Sequence, residues 1–391
     1  MTATLKLGAD NNWATKEGKL LGYNDENGNF KPIPFDVTSD ADTTRVNKEG
    51  LIERTKTNVP RINFDGADNP YLLLEPTRAN FVFPNNSLTG YSTSNVTITN
   101  NDTIAPNGTN EGAKVQATSS GGAVVFKGFT STASSATHNF SAFVKAGTHN
   151  ILQIQEGFAA ANIVVDLSDG TEVSSQNATN KKIEEYPNGW YRVSFNFTSS
   201  GTNLQFSIYF SGGHSSGDNY YVWGGQIEVG SYATSLIPTS DSAVTRTADT
   251  CQITGLERNI TSGATEATLY VELEFENESN GDAMQWRSST SNAGRAYFYA
   301  TQMGFADTYG ANGVTIFGLT ENSTIKAAFR LNSLSNATVF LNGVKGNTGN
   351  GNTWGDIGQL ILNATYWKMK IYQIQMYNEA LTDAELITLT S

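Results

Sequence analysis

The sequence predicts an all-β protein: two β-sandwich domains of jelly-roll type, preceded by an extended N-terminal attachment arm. Three observations carry that prediction. Apolar residues recur at every second position over short runs, as at Tyr191, Val193, Phe195 and Phe197, which is the period of a strand and not of a helix. The chain holds 37 glycines among many Ser, Thr and Asn, a mixture suited to short strands joined by frequent turns. Charged residues are only 16% of the chain, against roughly 25% in an average globular domain, while aromatics reach 11% and argue for packed cores rather than disorder.

Residues 1–80 read as an opening segment. Turn pairs at Asp10-Asn11, Asn27-Gly28, Glu49-Gly50 and Asp65-Gly66, with five prolines between Pro32 and Pro76, leave little room for a core. Such a segment either docks on a partner subunit as an arm or lays extra strands on the next domain; docking is the reading preferred. Residues 81–250 form a series of strands. Asn139–Lys145, Thr148–Gln155, Asn162–Leu167 and Trp190–Phe197 are followed by the alternation Leu204, Phe206, Ile208, Phe210. Strands with one apolar face each must bury those faces against a second sheet, which gives a sandwich. A second sandwich spans 264–391. Leu269, Val271, Leu273 and Phe275 point inward there, and Asn342-Gly343 marks a two-residue hairpin. Its last strand, Trp367 to Tyr377, alternates Trp367, Met369 and Ile371 against Lys368, Lys370 and Tyr372. A short terminal helix is capped by Thr382 with Glu385 three residues on, and Leu381, Leu386 and Leu389 mark its buried side.

Charge and motifs exclude several function classes. The net charge is −12, and no Lys/Arg cluster exists to neutralise phosphates, so neither nucleic acid nor an anionic membrane surface is an expected partner. The apolar runs are strand-length, too short for a membrane-spanning helix, and the N-terminus lacks the apolar stretch of a secretion signal. A single cysteine, Cys251, allows no internal disulfide. His138, His149 and His214 lack ligand spacing, and there is no nucleophile elbow, dinucleotide fingerprint or P-loop. Glu272 and Glu274 share a strand face, which a sandwich hydrolase could use, but with Leu269, Val271 and Leu273 on the opposite, buried face a wet outer face is the preferred reading. The chain is expected not to be an enzyme and to need no cofactor. Calcium is the one metal its Asp-rich loops suit, through Asp166, Asp169 and Asp307.

Two groups of residues carry a resemblance. Thr44–Glu53, Pro60–Phe64, Leu72–Asn80 and Trp223–Thr239 together resemble a module of tailed-bacteriophage virion proteins, tail-fibre and other appendage proteins above all. In those proteins it forms a jelly roll like a carbohydrate-binding module, and the likeness covers roughly residues 40 to 250. The C-terminal stretch resembles a concanavalin A-like, or laminin G-like, lectin sandwich on the Phe340–Gly343 turn and the Lys370–Leu386 tail. The resemblance implies a virion surface or appendage protein, made in the host cytoplasm, that adheres to host cell-surface glycans. The alternative is a purely structural capsid, tail-fibre or decoration protein with no glycan ligand. It further implies partners among other virion proteins, reached through the N-terminal arm, and a homo-oligomer, a trimer by analogy with fibres.

The candidate ligand residues are aromatic. Trp354, Tyr309 and Trp367 flank Gly- and Asn-rich turns, where a ring can stack on a sugar while amides take its hydroxyls. Trp223 stands before Gly224-Gly225, which remove side chains beside the indole; either a sugar or a neighbouring strand could use that space. Glu75 and Arg78 frame Pro76 and are read as a structural clamp on nearby backbone. Tyr232 to Pro238 reads as an extended strap crossing the sandwich.

Overall fold

The computed structural model describes residues 3–16, 20–24, 29–32, 35–41, 43–66, 68–254, 264–277, 281–287, 295–299, 301–306, 314–349 and 358–391. The described chain is almost entirely antiparallel β-structure and divides into two units. One, here the split sandwich, is assembled from residues 1–41, 55–77 and 247–391. The other, the inserted sandwich, comprises 42–54 and 78–246.

In the split sandwich one sheet runs Val344–Gly349, Asn336–Leu341, Ile325–Ser333, Ala267–Asn277, Trp367–Tyr377, Pro70–Leu74, Arg61–Phe64, with Leu5–Leu7 also paired to Trp367–Tyr377. The facing sheet runs Val314–Phe317, Gln302–Ala306, Arg295–Tyr299, Asp282–Arg287, Gln359–Asn363, Thr250–Thr254, Phe35–Thr38. Leu269, Val271, Leu273 and Phe275 from the first sheet meet Met284, Trp286, Phe298 and Leu360 from the second in one continuous core. The alternation of the last strand holds through Trp367, Met369 and Ile371. A bulge opposite Glu272 and Leu273 then moves the inward set to Ile374 and Met376. Asn342 and Gly343 both have positive φ, 48° and 77°, as a two-residue hairpin between Leu341 and Val344 requires. The terminal helix, Asp383–Thr390, carries the expected capping box of Thr382 and Glu385. It covers Tyr270, Ala328 and Phe340 with Leu381 and Leu386.

The attachment arm expected over residues 1–80 is corrected here. Leu5–Leu7, Phe35–Thr38, Arg61–Phe64 and Pro70–Leu74 are strands of the split sandwich, and Leu5, Leu7, Ile62, Leu72 and Leu74 lie in its core. The physical reason is edge satisfaction. Ala267–Asn277 pairs one side of Trp367–Tyr377, and the other side would present unpaired backbone groups without Pro70–Leu74 and Leu5–Leu7. The boundary at 250 shifts for the same reason, because Cys251 and Ile253 belong to this core. The fully buried Arg61 guanidinium ties the pieces together through ion pairs to Glu75 (2.7 Å) and to Asp249.

The inserted sandwich has two six-stranded sheets. One is ordered Ser92–Ser94, Val124–Thr130, Asn203–Phe210, Ile151–Glu156, Ala161–Asp166, Thr171–Gln176. The other is ordered Val96–Thr103, Gly112–Ala117, Asn219–Val229, Thr137–Ala146, Trp190–Thr198, Thr179–Tyr186. Val193, Phe195 and Phe197 fill the core with Phe140, Phe206 and Ile208. The opposite face of the same strand is buried too: Arg192, Ser194 and Asn196 are covered, although their alternation marks them as outward. The strap is what covers them. Arg192 Nη2 donates to the Thr234 carbonyl (2.7 Å), and Asn196 Nδ2 donates to that of Ser231 (2.5 Å). Glu228 accepts from both the backbone N–H and the hydroxyl of Thr234, each at 2.7 Å. A buried polar layer is tolerable only when its groups are paired, and these pairings pin the strap in one position.

Candidate functional site: a cleft under the strap

The path of the strap shapes a cleft in the inserted sandwich. Strand Asn219–Val229 reaches Trp223 and then bulges, so that Gly224 and Gly225 together oppose Ala142. Gly224 has φ +62°, and a Cβ there would stand 2.8 Å from the Phe143 ring; one on Gly225 would stand 2.7 Å from Phe206. The paired glycines therefore let core aromatics close in, and the bulge turns Trp223 toward the cleft. The indole packs edge-on to Phe143 and sits in a small cluster with Ile52, Ala105, Trp190 and Leu236.

Three loops complete the walls. The hairpin of Thr44–Val46 and Ile52–Arg54 turns at Asn47, whose side chain accepts from the N–H groups of Glu49 and Leu51. It is anchored by Thr44 Oγ1 donating to the Leu236 carbonyl (2.6 Å) and by Ile52 N–H donating to Pro106 (2.9 Å). The turn at 105–109 is held by Asn107 Oδ1, which accepts from Thr109, while Trp190 Nε1 donates to the Ile104 carbonyl. Asn85 bonds to Ile237 and Thr239 and so fixes the far end of the strap.

The resulting cleft encloses about 280 Å³ and is lined by Thr44, Ile52, Glu53, Arg54, Asn85, Asn86, Asn107, Glu111, Trp223, Leu236 and Pro238. Its apolar lining comes from Ile52, Trp223, Leu236 and Pro238, of which the first three are only 4–6% exposed, so little of the indole is open to the cleft. Glu111 Oε2 accepts from Asn107 Nδ2 (2.8 Å) and Trp223 Nε1 (3.3 Å), which orients the carboxylate; among the described residues its Oε1 has no donor. Asn86 is exposed, and among the described residues its side-chain amide has no hydrogen-bond partner. Glu53, in contrast, is occupied: Arg45 reaches its Oε1 at 2.5 Å and Asn47 its Oε2 at 3.3 Å.

Of the aromatic residues picked out in the sequence, Trp223 lines this cleft. Trp354 and Tyr309 lie outside the described residues, as does Asp307. Trp367 is corrected: it is 1% exposed, packs on Phe275 and donates Nε1–H to the Gly281 carbonyl (3.0 Å), so neither face of its ring is open to a sugar. Glu75 is fully buried on Arg61, and Arg78 is buried with Glu228 at 3.8 Å and over the Tyr232 ring; both hold charged or aromatic side chains. The calcium candidates serve their own turns. Asp166 Oδ1 accepts from Ser168 N–H, Ser168 Oγ and Asn150 Nδ2, and the Ser168 bonds foremost hold its pKa below the usual carboxylate range. Asp169 accepts twice from Thr171. Among the described residues no three His, Cys, Asp or Glu side chains converge as a metal site. His149 and His214 do approach, with ring centroids 6.2 Å apart. Glu272 and Glu274 sit in an outer-face network with Tyr270, Gln373 and Lys370.

Glu111, Asn86, Asn107 and the 44–54 hairpin are absent from the sequence-level candidates. The available signals were turn pairs, Glu49-Gly50 in the hairpin and Asn107-Gly108 in the turn Ala105–Glu111, but nothing in them places either beside Trp223.

No protein family and no curated protein matches the chain in sequence. Solved structures share part of the fold. The Ruminococcus gnavus IT-sialidase CBM40 bound to α2,3-sialyllactose is 15% identical at a TM-score of 0.29, covering 35% of this chain and 91% of its own. The binding domain of Paraclostridial Mosquitocidal Protein 1 is 12% identical at a TM-score of 0.27, covering 36% and 43%. The botulinum neurotoxin serotype D binding domain is 8% identical at a TM-score of 0.29, covering 36% and 39%. Likenesses this distant decide nothing about a ligand.

Proposed function

We propose that the protein is a non-enzymatic adhesion protein that holds a cell-surface glycan in the cleft beside Trp223. The observation that carries this reading is the lining itself: apolar side chains that include a tryptophan, and polar groups without a partner among the described residues, Glu111 Oε1 and the Asn86 amide. Sugars present that combination in reverse, with C–H faces for the apolar lining and hydroxyls for the polar groups. A non-enzymatic role accords with the state of Glu53, which is spent on Arg45 and leaves Glu111 without a second free carboxyl in the cleft. The test is glycan-array binding by the full chain and by Glu111→Ala and Asn86→Ala. Both variants are expected to lose signal, with Asn86→Ala keeping its melting temperature; arrays that stay unchanged in both would overturn the reading.

The biological setting we propose is the exposed surface of a tailed-phage virion, where the protein meets host glycans after assembly in the host cytoplasm. That setting rests on the sequence resemblance over residues 40 to 250. Other virion proteins and further copies of this chain, a trimer by analogy with fibres, are the proposed partners. They would be reached through surfaces of the folded units rather than a free arm. Electron microscopy of labelled particles tests it, and particles without label would refute it. A purely structural role has one observation in its favour. Phe317 is 71% exposed and Val344 59%, at the ends of edge strands that come together where Gly346 meets Ile316, as an assembly contact requires.

A further inference from the structure

The cleft's charges and its free acceptors discriminate among sugars, and this inference rests on the reading of the cleft as a glycan site. We propose that it takes a single uncharged pyranose residue, whose hydroxyls donate to Glu111 Oε1, and that it disfavours sugars bearing a carboxylate.

Size is the first argument. About 280 Å³ falls just below the roughly 300–1,000 Å³ typical of small-molecule pockets, which suits one ring rather than a chain of them. Hydrogen-bond inventory is the second. Glu111 is held by two donors on Oε2, so it cannot rotate away, and its Oε1 remains a fixed, charged acceptor at the wall. A charged acceptor needs donors, and vicinal hydroxyls supply two on one oxygen. Asn86, also in the lining, adds an amide that can both donate and accept. Trp223 contributes surface only, because its Nε1–H is already given to Glu111.

Charge is the third argument. Arg45 is consumed by Glu53, so that pair is neutral toward a ligand. Arg54 is the one cation among the lining residues, but it stands exposed at the rim and already has a partner. Glu111 is the charge without an ionic counterpart. A uronic or sialic acid would bring a second carboxylate against it with no committed cation to offset the repulsion.

The experiment is ligand-observed NMR and titration of the full chain at pH 7. The probes are the methyl glycosides of glucose, galactose and N-acetylglucosamine, with methyl glucuronide and N-acetylneuraminic acid beside them. At least one neutral glycoside is expected to bind at least tenfold more tightly than either acid. Glu111→Gln should weaken the neutral sugar about tenfold, in line with loss of a hydrogen bond to a charged group, and should narrow the gap to glucuronide. Far-UV circular dichroism and an unchanged melting temperature verify the variant's fold. If an acidic sugar binds as well as the neutral ones, the charge rule falls while the glycan site stands, and Arg54→Ala tests whether that cation holds the acid. If no probe binds, both fall.

Discussion

At the scale of single residues, the inserted sandwich places an ionisable side chain on its core face, and His138, in phase with Phe140, Ala142 and Val144, shows what that costs. Its ring is fully buried, stacked on Phe197, with Nε2 at 2.8 Å from Ser131 Oγ and Nδ1 at 3.0 Å from the Ala136 carbonyl. Burial lowers its pKa, an effect larger than the rise the Ala136 carbonyl provides. The folded chain therefore binds fewer protons than the unfolded one as pH drops below the ordinary histidine value of about 6.5. This contribution to stability is complete above that pH and is lost as pH falls toward the folded value. Scanning calorimetry between pH 7.5 and 5 should show a falling melting temperature, with a shallower fall in His138→Phe. Equal slopes in the two proteins would show that this ring does not set the acid limit. His138 was legible only as one of three scattered histidines, because what buries it comes from residues distant in sequence.

At the scale of elements, periodicity foretold strands well wherever one face met the core. Trp190–Thr198, Ala267–Asn277 and Trp367–Tyr377 each bury the alternate residues expected of them. Bulges are where period-2 reading slips, and the one at Gly224-Gly225 matters most because it aims Trp223. Replacing Gly224 by Ala would put a side chain at φ +62° and 2.8 Å from Phe143, so a destabilisation of about 1–3 kcal/mol is expected. Urea denaturation measures it, and altered Trp223 fluorescence in the native baseline should accompany it. A Gly224→Ala protein as stable as its parent would mean that the bulge is not fixed by this glycine. The strap was readable as extended chain from Tyr232 to Pro238. Its role as the lid over Arg192 and Asn196 was not, since those partners lie some forty residues back along the chain.

At the scale of the molecule, one sandwich interrupts the other along the chain. Arg78–Asn80 pairs with Val244–Arg246 at the two ends of the long insertion. In the split sandwich Ala248 N–H donates to Thr77 Oγ1 (3.0 Å), so the chain leaves and re-enters at neighbouring points. Excising residues 78–246 behind a short Gly-Ser linker should thus leave a folded split sandwich, whereas a fragment of 264–391 alone should be unfolded or aggregated. Circular dichroism and size-exclusion chromatography distinguish them. A cooperative, monomeric 264–391 fragment would show that the N-terminal strands are dispensable.

The amino-acid sequence by itself determined the all-β class, the inward faces of the long strands, the Asn342-Gly343 hairpin and the capped terminal helix. Each of these depends on neighbours within a few residues, so local pattern suffices. Tertiary structure alone decided that Leu5–Leu7, Phe35–Thr38, Arg61–Phe64 and Pro70–Leu74 complete the last sandwich, that Trp367 is core, and that Trp223 meets Glu111 and shares a cleft with Asn86. Strands of three to five residues, such as Leu5–Leu7, Arg61–Phe64 and Pro70–Leu74, carry too little alternation to name their partner. A cleft built from positions 44–54, 85–86, 107–111 and 223–238 exists only once the backbone hydrogen bonds of distant strands have closed.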